Sequence, residues 1–245
     1  MKNKQLTIAW LYPELMSTYG DRGNIIVLSK RCEWRDIKVK VEKISIKTDT
    51  NTLSTVDLIF MGGAQDTQQE IVNKDLFDKK GKELKELIED NIPGLFICGA
   101  YQFLGRYYKT AEGKNLPGLG IFPLRTENPG EKHPRLIGNI VTERNGQKYV
   151  GFENHGGRTY LDDPHTAFSI VIKGFGNNGN DKTEGILYKN SIGSYLHGPI
   201  LPKNPQLADW LIQKALEKKY NENITLTKLD DVLEEKANKM AMNNT

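Results

Sequence analysis

Residues 91–109, NIPGLFICGAYQFLGRYYK, decide how this chain is to be read. Gly94 to Ile97 form a short apolar run led in by Pro93, the texture of a central strand in a parallel sheet. Cys98 follows at once. Gly99 and Ala100 then open a segment whose Tyr101, Leu104 and Tyr108 recur at helical spacing. The cysteine therefore stands on a strand-to-helix turn. Small following residues there let the backbone bend sharply and lift the side chain above the sheet, as in a nucleophile elbow. A neighbouring helix N-terminus lowers a thiol pKa and offers backbone N–H groups to a developing oxyanion. The competing reading is a small apolar residue closing a core strand.

Outward from this turn the pattern is strand–helix alternation. Leu6 to Tyr12 reads as a first strand, and Asp21 as the N-cap of a helix running to about Asp36. Ile37 to Ile46 alternates like an edge or second strand, and Val56 to Met61 is a buried strand ending in Gly62-Gly63. A helical region from Thr67 to Asp90, interrupted near Gly81, leads back to the Cys98 strand. Such alternation predicts an α/β fold with a doubly wound, mostly parallel sheet. From Gly113 the texture changes to short strands (LIGNIVTE, QKYVGFEN, FSIVIK, TEGILYK, SIGSYLH) separated by Gly, Asn and Pro, which predicts an antiparallel extension. The stretch 174–181, GFGNNGND, reads as a flexible loop. Lys203 to Tyr220 reads as a helix. Residues 1–220 are thus expected to form one domain, with 221–245 a charged, amphipathic helical tail.

The chain has 245 residues, 38% hydrophobic and 27% charged, enough for a sizeable core and unlike a disordered chain. With 34 basic against 31 acidic residues it is too balanced to suggest nucleic acid as a partner. Its two cysteines cannot build a disulfide framework, and Cys32 shares a helix face with Ile25 and Leu28, a core position. The apolar run in MKNKQLTIAWLYPEL is ended too soon for a signal peptide or a membrane span, and no other stretch approaches a span. The default expectation is a cytoplasmic protein without a transmembrane segment.

A cysteine nucleophile needs a base, and four histidines compete for the role. His133 and His165 lie in polar, proline-bearing loops and read as solvated. His155 follows a strand and precedes two glycines, which could line a site. His197 closes the run SIGSYLH before Gly198-Pro199, where a strand must stop. Ligands of open parallel sheets bind at the carboxyl ends of strands. Cys98 and His197 both stand at such ends, so a thiolate–imidazolium pair is geometrically cheap. A capping or packing histidine is the other reading of His197. Gly62-Gly63 ends a third strand, and one of its N–H groups together with that of Gly99 could form an oxyanion hole; equally, a Gly-Gly can be only a turn. No GxxxxGK[ST] loop and no metal-ligand spacing occurs, so ATP, if used, must be bound by another chain.

Four stretches together carry a resemblance: MGGAQD (61–66), ICGAYQFLG (97–105), GFENHGGRT (151–159) and SYLHGPILPKNP (194–205). They resemble the class I, triad-type glutamine amidotransferases, in the branch found with cobyric acid synthases. Within that branch they look most like the glutaminase subunits of lipid II isoglutaminyl synthases, over about residues 5 to 220. The resemblance implies a flavodoxin-like sheet and a heterodimer with a MurT-like, Mur-ligase-type subunit, which would carry ATP and Mg; it implies no cofactor or metal for this chain. It further implies that Cys98 attacks the side-chain amide of glutamine, that His197 is the base, and that Arg135 holds the substrate, with Arg125 the local competitor. The oxyanion donors would be Gly63 and Gly99. The activity implied is release of ammonia for amidation of the D-glutamate α-carboxyl of lipid II. Amidation of a cobyrinate-type acceptor, a non-catalytic scaffold and a cysteine peptidase are the alternatives.

Two departures stand out. Ala64 and Ala100 occupy positions where family members often have glycine, which would strain a left-handed backbone. Pro199 occupies the place two residues after the histidine where many members carry a glutamate. Glu153 is the internal candidate for that acid; the alternative is a carboxylate supplied by the partner.

Overall fold

The computed structural model describes residues 3–17, 20–64 and 66–243. In chain order the first half runs β1 (Gln5–Leu11), α1 (Arg22–Glu33), β2 (Lys38–Ile44), β3 (Leu58–Met61), α2 (Asp66–Asp75), α3 (Gly81–Glu89), β4 (Gly94–Ile97) and α4 (Gly99–Phe103). Then come β5 (Tyr107–Lys109), β6 (Asn115–Pro117), β7 (Leu124–Glu127), β8 (Leu136–Arg144), β9 (Gln147–His155), β10 (Arg158–Leu161), β11 (Ser169–Lys173) and β12 (Thr183–Glu184). β13 (Ile186–Tyr188), β14 (Ser191–Ser194), α5 (Pro205–Tyr220) and α6 (Val232–Asn243) complete the chain.

The main sheet has the order β13-β14-β4-β3-β1-β2, parallel except for β13. This is the flavodoxin-like order, whose chain reverses direction across the sheet between β1 and β3. Alternation along the strands separates two cores. Leu6, Ile8 and Trp10 of β1 face Ile25, Leu28 and Cys32 of α1 and Leu207, Leu211 and Leu216 of α5. Ala9 and Leu11 face the other way, toward Leu84, Ile88, Ala100 and Tyr101. Helices on both faces make the sheet doubly wound, as the alternation predicts. Cys32 is fully buried, and burial pushes its thiol up to about 12, so it is an inert core residue.

The second half forms two four-stranded sheets, β10-β7-β5-β6 and β12-β11-β8-β9. The run SIGSYLH does not belong to this extension. As β14 it inserts into the main sheet parallel to β4, with Ser194 opposite Ile97. Two further expectations are corrected. The helix after Cys98 stops at Phe103, and Tyr108 lies in strand β5, paired with Leu116 and Thr126. Residues 174–181 are not a flexible loop: Asn177 and Asn178 are buried, and the Asn177 side chain bonds Tyr101, Thr183 and Gly185.

The tail beyond α5 docks back onto the domain. The Arg31 guanidinium, buried on α1, bonds both oxygens of Asp209 on α5 and both of Asp231 before α6, at 2.6–3.0 Å. Arg35 adds Asp209 and the carbonyl of Thr227, and Asn238 of α6 donates to the carbonyl of Lys203. No described helix is long and apolar enough to cross a membrane. Removing Arg31 takes both bonds from Asp231 and leaves Asp209 to Arg35, so Arg31→Ala should cost about 3 kcal/mol. A thermal melt should show Tm lowered by roughly 6–12 °C, whereas an unchanged Tm would mean that the tail is not pinned through this residue.

Candidate active site

Cys98 sits between β4 and α4 with φ +53 and ψ −106, a conformation that L-residues rarely adopt. Its backbone is gripped on both sides: its N–H donates to the carbonyl of Ser194 at 2.9 Å, and its carbonyl accepts from Gln102 at 3.0 Å. The side chain is half-buried. Gly99 follows as the first residue of α4, where a helix leaves amides without intrahelical partners.

His197 leaves β14 three residues beyond Ser194, which lies opposite Ile97, and it is fully buried. An isolated antiparallel pair holds it: its N–H donates to the carbonyl of Phe152 at 2.7 Å, and the N–H of Phe152 donates back at 3.2 Å. Gly63 brings the Cys98 and His197 side chains to one point. A Cβ placed on Gly63 would stand 3.2 Å from Cys98 Cβ and 3.3 Å from His197 Cε1. The ends of β3, β4 and β14 thus converge on a cysteine, a histidine and a glycine.

Burial pushes the His197 imidazole down to about 3, and the neighbouring His155 and the Arg135 guanidinium add to the shift. The neutral imidazole is therefore favoured. Desolvation and the Arg135 guanidinium disfavour an imidazolium, and so oppose the expected thiolate–imidazolium pair. A neutral imidazole can accept the thiol proton as the thiol attacks.

The motif GFENHGGRT builds the wall of the site residue by residue. Gly151 lets β9 cross Leu196 closely, since a Cβ there would lie 2.8 Å from the Leu196 side chain. Asn154 holds Arg135, accepting from Nε through its side chain and from a terminal nitrogen through its carbonyl, both at 2.9 Å. That guanidinium is exposed, yet close enough to act on His197. Arg125, the competitor, is engaged elsewhere, with Glu127 at 3.1 Å and over the Tyr160 ring. His155 is buried and stacks on Tyr195 with ring centroids 3.6 Å apart, while its Nδ1 contacts the carbonyl of Gly157. The Tyr195 hydroxyl joins Gln102 and Thr159.

Glu153, the internal candidate for the third acid, is fully buried and engaged by backbone amides. Its oxygens accept from the N–H groups of Phe175 and Gly176 at 2.7 and 2.9 Å, and Oε2 lies 3.6 Å from His155 Nε2. It anchors the 174–181 segment. Gly63 also differs from expectation. Its N–H donates to Asp21 Oδ2 at 2.8 Å, so in this arrangement that amide is committed to a carboxylate. Ala64 and Ala100 both avoid positive φ, so their methyl groups carry no backbone strain. Tyr195, Gln102 and Asp21 were not read as site residues from the sequence. Their contacts span 36 to 93 residues, and only the place of Tyr195 in SYLH hinted at one of them.

Comparison with known proteins agrees with this geometry. Residues 7–205 match the CobB/CobQ-like glutamine amidotransferase domain. The chain is 48% identical over 216 residues to a Staphylococcus aureus protein, covering 88% of this chain and 86% of the relative. It is 42% identical to one from Streptococcus pneumoniae, covering 94% and 87% respectively. Both relatives are named lipid II isoglutaminyl synthase (glutamine-hydrolyzing) subunit GatD. A cobyrinate a,c-diamide synthase of Archaeoglobus fulgidus is 28% identical, and the match covers only 46% of its length. Among solved structures, a glutamine amidotransferase superposes with TM-score 0.55 at 13% identity, covering 84% of this chain and 98% of its own. The PurLQS structure from Thermotoga maritima gives 0.52 at 15%, covering 91% and 100%; at such identities the likeness is one of fold. With four-fifths of its length matched and a cysteine and a histidine gathered at the sheet's carboxyl edge, the chain belongs to the CobB/CobQ-like glutamine amidotransferases and is a glutamine-hydrolysing enzyme subunit.

Proposed function

We propose that this chain is the glutaminase subunit of a lipid II isoglutaminyl synthase, with Cys98 as nucleophile and His197 as base. The convergence of the strained Cys98 turn and neutral His197 on Gly63 is the observation that carries the reading. Cys98 Sγ attacks the side-chain amide carbon of glutamine while the thiol proton passes to His197. The N–H of Gly99 stabilises the oxyanion. Collapse of the intermediate expels ammonia, protonated by His197, and leaves a glutamyl thioester that water hydrolyses to glutamate. Arg135, held by Asn154, binds the α-carboxylate of glutamine, a match for a guanidinium fork.

The ammonia goes to an ATP- and Mg-dependent partner of the MurT, Mur-ligase type, which amidates the D-glutamate α-carboxyl of lipid II. The two relatives at 48% and 42% identity support this acceptor over a cobyrinate, because they match over nearly their full length. A lipid-linked acceptor places the reaction in the cytoplasm at the inner face of the membrane, reached through the partner. The partner also supplies the missing acid. Pro199 holds the place two residues after the histidine, Glu153 is tied to Phe175 and Gly176, and Arg135 and His155 oppose a charge on His197. A carboxylate arriving across the interface would offset that opposition and fix the imidazole.

Glutamate release measured with and without the partner tests the reading. The isolated chain should be slow, and the partner should raise the rate by roughly 10²–10⁴-fold, the range of acid–base assistance. Full activity of the lone chain, lost in Glu153→Gln, would place the acid in this subunit instead. Arg135→Ala should raise KM for glutamine by about 10–100-fold, as loss of a charged hydrogen-bonding partner implies. Amidation with free ammonia should survive. Normal use of scarce glutamine by Arg135→Ala, with a defect in Arg125→Ala, would transfer the role to Arg125.

A further inference from the structure

Asp21 precedes α1 at the N-cap position, where an aspartate ordinarily accepts a hydrogen bond from an amide of its own first turn. It makes no such bond. The side chain is fully buried, and Oδ2 accepts instead from the N–H of Gly63, 42 residues away, at 2.8 Å. Oδ1 has no hydrogen-bond partner among the described residues. A buried carboxylate with a single donor is costly. Burial raises its carboxyl to about 7 against the opposing effect of the Gly63 N–H. A local rule is broken here at a cost in stability, and such violations concentrate at functional sites.

The target of the bond explains the cost. Gly62 is wedged against Asp21: a Cβ there would stand 2.5 Å from Asp21 Oδ2 and 2.5 Å from the carbonyl oxygen of Met16. Gly63, the next residue, has Cys98 and His197 against its own Cβ position. The same first turn of α1 also grips the chain after His197. Asn24 Oδ1 accepts from the N–H of Leu201 at 3.0 Å, and a Cβ on Gly23 would stand 2.4 Å from Pro199 Cγ. One helical turn therefore braces the glycine loop and the histidine turn together.

We propose that Asp21 is a positioning residue for glutamine hydrolysis: by taking the Gly63 N–H it holds Gly62-Gly63 against Cys98 and His197, so that the space beside the Gly99 N–H keeps the shape the developing oxyanion needs. It touches neither the substrate nor the reacting sulfur, and it acts through Gly63. The proposal rests on the glutaminase reading. Its signature is selective. Forming a tetrahedral oxyanion needs the loop, whereas displacement of iodide from iodoacetamide by Cys98 passes through no oxyanion and does not.

The test uses the full chain with its ligase partner, comparing wild type, Asp21→Ala and Asp21→Asn. Asp21→Ala should lower kcat for glutamine about 10²-fold, the order seen when oxyanion stabilisation is impaired. KM and the rate of Cys98 alkylation by iodoacetamide should stay within about threefold of wild type, an order-of-magnitude margin for uniform binding left intact. Asp21→Asn still offers Gly63 an amide oxygen but without charge assistance, so about tenfold of the loss should be recovered. Wild-type kcat in Asp21→Ala, or alkylation falling in step with kcat, would overturn the proposal. Should Asp21→Ala fail to fold, Asp21→Asn decides: a severalfold loss of kcat alone supports the proposal, and wild-type kcat overturns it. A wild-type complex that releases no glutamate would instead overturn the glutaminase reading itself, and this proposal with it.

Discussion

The backbone of Cys98, at φ +53 and ψ −106, is the constraint around which the rest of the structure is arranged. Such a conformation costs about 1–3 kcal/mol and persists only where its surroundings over-determine it. Here β4 lies between β3 and β14, fully buried, with hydrogen bonds into the turn from both directions. Parallel pairing of β14 with β4 then delivers the chain to His197 at the level where β4 delivers Cys98. Bending the chain at the end of β4 and letting it leave β14 after Ser194 places two side chains from distant sequence over one glycine.

Electrostatics completes the division of labour. His197 is fully buried and the Arg135 guanidinium acts on it, so its neutral form is favoured. That resting state suits a subunit whose uncoupled turnover would waste glutamine. Nearby carboxylates are committed to architecture: Glu153 to the amides of Phe175 and Gly176, and Glu184, raised to about 8 by burial, to Ser194 and the amide of Tyr195. The proposed acid from the partner would enter a site in which every local acid already has work.

What was legible in the sequence was what the chain encodes locally. The run Gly94–Ile97 with its Cys-Gly turn and the alternation of α1, β2 and β3 carry their own periodicity and punctuation, whereas the strand read as running to His197 stops at Ser194. What escaped were bonds between distant residues. Asp21 was correctly placed before a helix, but nothing nearby in sequence marks Gly63 as its partner. GFGNNGND has a loop composition, yet its asparagines are buried because Tyr101 and Gly185 arrive from elsewhere to satisfy them. Tyr108 keeps helical spacing with Leu104, and strand pairing with Leu116 overrides it.

The central claim is that Cys98 becomes covalently acylated during turnover. Acid quenching of the complex while it consumes glutamine, followed by peptide mass spectrometry, tests it directly. The account predicts one glutamyl group on the peptide carrying Cys98, absent from Cys98→Ser, which should release no glutamate. A glutamyl group on the Cys32 peptide, or undiminished glutamate release by Cys98→Ser, would contradict it.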